Sequence, residues 1–221
     1  MAAHARAGNP LRARNMLELI LSRRLQPDVV CYNILMNAYA QARDVPGAMA
    51  VLEELLSKSL EPSTVSYKTV LKAHTVAGDM VGAETILEQM QRRRTPPDLQ
   101  SYNTLLKGYA ATADVPAAER VLTLMPCERV QPDHFSYSAL VLAKAKRGDV
   151  DEAEQTLASM QLQRLQPDPS CYSALRSLQK RLGNSSAAKG LSEQSQHASS
   201  SATSLGQSPS SSRITAKKDF G

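Results

Sequence analysis

The side chains that most often do chemistry are sparse in this sequence. Cys31 and Cys171 stand 140 residues apart, with Cys127 between them, so no pair has the short spacing of zinc ligands. Three thiols, an odd and sparse count in 221 residues, do not make a disulfide framework either. His4 and His74 fall at the place of a repeating pattern that Tyr39 and Tyr109 also occupy, which points to packing rather than catalysis. His134 and His197 have no evident partner. There is no Gly-rich phosphate loop, no nucleophile elbow and no Cys/His deaminase signature. The chain therefore reads as a non-enzyme with no metal and no cofactor. No apolar run approaches the ~18–20 residues of a membrane span, so no membrane partner is expected. A net charge of +5 leaves an anionic partner open.

What remains is hydrogen bonding and ion pairing by residues that recur. Tyr32, Tyr67, Tyr102, Tyr137 and Tyr172 are spaced by 35 residues, and so are Pro27, Pro62, Pro97, Pro132 and Pro167. A register starting at Val29 gives complete units over 29–63, 64–98, 99–133 and 134–168. Residues 1–28 read as the C-terminal part of a cut unit, and 169–190 as a partial one. On this reading the sequence is a piece of a longer protein. The first 17 residues carry three Arg and one His with no acid, like an organellar transit peptide. The repeat accounts for the same residues better, so they are read as helix and no targeting peptide is visible.

Each unit must position its residues on two helices. Tyr32, Leu35, Met36 and Tyr39 make an apolar stripe at helical spacing, repeated by Tyr102, Leu105, Leu106 and Tyr109. Asp44, Asp79, Asp114 and Asp149 then recur as N-caps of a second helix, with Asn9 and Asn184 in the flanking units. The second helix carries Ala48, Val51, Leu52 and Leu55 and their counterparts, and its recurring Ala lets helices approach closely. The unit-closing Pro stops the helix, and Pro126 is expected to end its own helix early. A hairpin this small cannot bury both faces alone. Stacked hairpins share a core, so the expected fold is all-α, a right-handed α-solenoid with the Tyr in its core. Residues 191–221, with ten Ser in 192–212, read as a disordered tail.

The period, the openings Val-Val-Cys-Tyr-Asn-Ile-Leu (29–35) and Leu-Gln-Ser-Tyr-Asn-Thr-Leu-Leu (99–106), and the closing Leu-Gln-Pro-Asp (25–28, 165–168) resemble pentatricopeptide repeats. The tetratricopeptide repeat has a 34-residue period and a Trp signature, and this chain has no Trp. Proteins of the resembled family bind single-stranded RNA, one base per repeat.

The resemblance implies a set of base-reading residues: the residue after each unit's Tyr, paired with the unit's last residue. Carried over, the pairs are Asn33 with Ser63, Lys68 with Asp98, Asn103 with Asp133, and Ser138 with Asp168. Asp28 closes the cut unit. By the family's pattern Asn with Ser favours C, Asn with Asp favours U, and Ser with Asp leans to G. Lys68 departs from the pattern, either pairing with Asp98 or meeting a phosphate, and its base is unassigned. The implied readout is 5′-C-N-U-G-3′. Three places before the readers stand Val30, Val65, Gln100 and Phe135, which in the family sandwich the bases; the alternative for the apolar ones is ordinary packing at a helix start. Lys72 and Lys107 lie one turn beyond Lys68 and Asn103, and Lys146 near the same face, as candidate phosphate contacts or plain solvated charges.

The resemblance further implies a mitochondrial or plastid protein acting in RNA processing, stability or translation. A protein-binding solenoid scaffold is the rival reading, since grooves of this kind also hold peptides and fold does not settle function. A protein partner through groove or tail is therefore kept open, and the sequence is silent on oligomeric state.

Overall fold

The structure, a computed structural model, describes residues 9–184 and Leu191. Residues 192–221 of the expected tail, His4, His197 and the helix expected over the first eight residues lie outside the described residues. Ten helices make up the described part: α1 (Pro10–Ser22), α2 (Val29–Gln41), α3 (Val45–Ser57), α4 (Thr64–Ala77), α5 (Met80–Arg92), α6 (Leu99–Thr112), α7 (Val115–Cys127), α8 (His134–Arg147), α9 (Val150–Leu162) and α10 (Pro169–Arg181). None is long and apolar enough to cross a membrane.

The helix boundaries follow from caps. Asn9, Asp44, Asp79 and Asp114 each accept a hydrogen bond from a backbone N–H in the first turn of a second helix. Asp149 stands at the same place but makes no such bond, because its carboxylate turns to the Arg147 guanidinium instead. Pro126 does not shorten α7, which has the same 13 residues as α3, α5 and α9. It sits exposed in the last turn, where one missing N–H costs a single bond and the Glu128 N–H still closes the end on Leu124.

The even-numbered first helices pack against one another in series, and α2, α4, α6 and α8 each also pack on their own unit's second helix. Second helices of neighbouring units meet only through long side chains among the described residues, as where Arg14 pairs with Glu54 at 2.5 Å and Arg120 with Glu84 at 4.0 Å. The layer of first helices is thus the more closely packed one. Ala48, Ala83, Ala118 and Ala153 are fully buried at the crossing of the two layers. Tyr32, Tyr67, Tyr102 and Tyr172 are buried as expected. Tyr137 is only half-buried. Its unit has thinner apolar packing, with Thr156 where the others have Val51, Ile86 and Val121.

Polar rungs tie neighbouring units together. Tyr39, His74, Tyr109, Lys144 and Gln179 share one place of the period. The Tyr109 hydroxyl donates to Glu84, Lys144 pairs with Glu119 at 2.9 Å, and the Gln179 amide donates to Glu154. Each acid comes from the second helix of the preceding unit. Met49 replaces that acid opposite His74, which packs in the core and turns Nδ1 to Asp79 of its own unit at 2.8 Å.

Candidate nucleic-acid interface

The residues singled out above come together on the layer of first helices. Asn33 Nδ2 lies 3.5 Å from Ser63 Oγ. Lys68 Nζ lies 2.9 Å from Asp98 Oδ2. Asn103 Nδ2 donates to Asp133 Oδ1 at 3.1 Å. The Asp168 backbone N–H donates to Ser138 Oγ at 3.3 Å. In every unit the pair therefore meets across 30 residues of chain, near the N-terminus of a first helix.

A second role of the unit-closing residue was not read from the sequence. Asp28, Ser63, Asp98, Asp133 and Asp168 are each the N-cap of the next unit's first helix. Ser63 and Asp133 form full capping boxes with Ser66 and Ser136. The signal was present, because Ser or Asp four residues before each Tyr is a helix start. Capping fixes the side chain at the mouth of the groove. Burial pushes the Asp98 carboxyl upward, but hydrogen bonds from Lys68 and Ser101 outweigh it and hold the group below its usual value. Asp133 is likewise raised by burial and pulled lower overall by the Ser136 N–H, the Asn103 amide and the Ser136 hydroxyl. Both are anions at neutral pH.

The four candidate wedge residues all face solvent. Val30 is 59% exposed, Val65 54% and Phe135 45%, which is not the burial of residues that pack a helix start. Gln100 is exposed and accepts from Lys68 Nζ at 2.7 Å. Lys68 thus bridges Asp98 and Gln100, so of the two alternatives open for it, the structure shows the pair. A hollow of about 510 Å³ lies between Gln100 and Phe135, with Asn103 and Asp133 in its lining and Lys107 at its side. An exposed side chain flanks it on each side, and its lining offers an amide with a carboxylate behind it and a cation.

Lys72 and Lys107 are exposed, and Lys107 Nζ sits 5.9 Å from the Phe135 ring centre. Lys146 is exposed and donates to the Ala111 carbonyl at 2.5 Å. A second hollow of about 560 Å³ continues past Phe135 between α6, α8 and α10, with Ala110, Ala139 and Leu142 in its floor and Lys107, Lys146 and Arg181 around it. Arg181 was not expected, because it lies in the fading unit where the period is weak. Among the described residues no group of His, Cys, Asp and Glu could hold a metal. Cys171 is buried beside Ser138, and burial raises its thiol. Cys31 is half-buried and Cys127 exposed.

Comparison with family models matches the PPR repeat family over 27–75 and 62–111, a PPR repeat over 100–130 and a pentatricopeptide repeat domain over 120–179. The chain belongs to the pentatricopeptide repeat family. No curated protein matches the sequence. Among solved structures, the pentatricopeptide repeat protein PPR10 from maize superposes with a TM-score of 0.64 at 21% identity, covering 88% of this chain and 32% of that one. PPR10 in complex with an 18-nt psaJ RNA element gives 0.62 at 20% identity, covering 86% and 33%. The PPR domain of Arabidopsis thaliana protein-only RNase P 1, in complex with tRNA, gives 0.63 at 19% identity, covering 80% and 93%. These likenesses establish the solenoid fold. The chain spans about a third of the length of PPR10.

Proposed function

We propose that this pentatricopeptide repeat chain binds single-stranded RNA along its layer of first helices, one base per unit. The observation that carries the reading is the hollow between Gln100 and Phe135. A flat ring entering it meets a wedge on each face and the Asn103 amide on its edge, with Asp133 orienting that amide. Asn33, Lys68 and Ser138, with their partners, would read neighbouring bases, giving 5′-C-N-U-G-3′ with the Lys68 position unassigned. Lys72, Lys107, Lys146 and Arg181 would meet phosphates and make the affinity salt-dependent. Such a protein acts as an adaptor rather than a catalyst. It occupies a strand, keeps it unstructured and blocks nucleases, which suits RNA processing, stability or translation in a mitochondrion or plastid. RNA-bound and tRNA-bound relatives of the same fold support this reading. Filter binding of single-stranded RNA at low salt tests it, and Asn103→Ala should lower retention of the matching strand.

The apolar floor of the second hollow favours one alternative, a peptide-binding scaffold. If RNA is not retained at low salt and Asn103→Ala changes nothing, that reading takes its place.

A further inference from the structure

Ser136 is fully buried, and its hydroxyl is shared between Asn103 Oδ1 at 2.6 Å and Asp133 Oδ1 at 3.0 Å, the amide oxygen being the nearer acceptor. It stands on α8, the first helix of the following unit, 33 residues downstream. A carboxylate can only accept, so the Asn103 nitrogen must face Asp133 and the oxygen must face Ser136. The amide is held at both ends in one orientation. Each end keeps one further hydrogen-bonding position for a ligand: a second N–H and a second lone pair.

The equivalent hydroxyls elsewhere do something else. Ser66 accepts from the Ser63 backbone N–H at 3.0 Å and lies 3.2 Å from the Ser63 hydroxyl, while Asn33 Oδ1 is buried with no partner. Ser101 donates to Asp98 at 2.8 Å, since Lys68 offers no acceptor. Only Asn103 is clamped among the described asparagine readers. Uracil and cytosine differ in the order of donor and acceptor on their pairing edge. Uracil places an acceptor oxygen beside an N–H, and cytosine an amino donor beside an acceptor nitrogen. A carboxamide turned over exchanges its own donor and acceptor, so its orientation chooses between them.

We propose that Ser136 is a positioning residue that fixes the orientation of Asn103, so that base choice there depends on three side chains, one from the next unit. The inference rests on the RNA-reading function proposed above. The test uses the whole chain and two RNAs that differ only in U or C opposite Asn103. Ser136→Ala should reduce the U-over-C affinity ratio at least about fivefold, the low end expected of a bidentate base contact. Ser136→Cys should lower it too, and that volume is tolerated, because Cys31 and Cys171 occupy the same place of the period. Ser66→Ala removes a matching capping-box contact and should leave the ratio unchanged. A ratio unmoved in a folded Ser136 variant, or moved equally by Ser66→Ala, overturns the proposal. A wild-type chain that binds RNA without preferring either base overturns base reading itself, and this proposal with it.

Discussion

Asn103 Nδ2 donates to Asp133 Oδ1 at 3.1 Å, a contact between two residues 30 apart that the solenoid brings to one edge of one hollow. Asp133 also caps α8 through the Ser136 N–H at 3.0 Å. One carboxylate thus starts a helix and orients the amide of the unit before it. Asp133→Ser should copy the Asn33 and Ser63 arrangement. The expected outcome is a shift of preference opposite Asn103 from U toward C. Because Ser63 also caps its helix, thermal stability should change by no more than about 1 kcal/mol. Competition binding and a melting curve on the same variant read both effects.

Phe135 supplies one wall of that hollow and is 45% exposed. Phe135→Ala should cost about 1–3 kcal/mol of RNA affinity, the worth of a stacked base. The fold should lose little, since the ring packs no core. Titration of a fluorescent RNA, with circular dichroism as the control, checks the separation of the two effects.

Lys107 lines both hollows and pairs with no acid among the described residues. Lys107→Gln should lower the slope of log affinity against log salt by about 0.7, as expected for one lost phosphate contact on a single strand. Arg92 lies on the second-helix layer, paired with Glu88 at 3.1 Å. Arg92→Gln should leave the slope where it is.

Acid should loosen the groove edge. Burial raises Asp98, while Lys68 and Ser101 hold the carboxyl below its usual value of 3.8. A folded value below the unfolded one adds stability above the unfolded value, and that stability is lost as pH falls through the folded value. The melting temperature should therefore be insensitive to the Asp98–Lys68 pair from about pH 7 to 5 and lose its contribution below about pH 4. Asp98→Asn should be less stable at neutral pH and show a shallower acid loss, measured by melting curves across that range.

Much of the fold was legible because Tyr and Pro mark it in phase. Tyr102 must be buried in the helix pair, and Pro132 must sit between helices, so their period carries the helix positions with it. Pro126 was misread because a proline in the last turn removes only one bond, and position within the helix decides its effect. The pairing of Asn103 with Asp133 came from family pattern rather than from local signal, since nothing in a one-dimensional spacing of 30 tells that two side chains touch. The clamp from Ser136 was invisible for another reason. Ser66, Ser101 and Ser136 are the same residue at the same place, yet Ser66 stays with the Ser63 cap, Ser101 turns to the Asp98 cap, and Ser136 reaches past its Asp133 cap to Asn103 as well. What decides is which acceptor the preceding unit leaves free, and that is known only once the units are stacked.

Asn103 with Asp133 is proposed to read one base in a fixed frame. The direct measurement places 5′-C-N-U-G-3′ inside a longer unstructured RNA and varies the U through all four bases in competition binding at low salt. U should be preferred over each alternative by about fivefold or more. Equal affinity for all four bases at that position would contradict it.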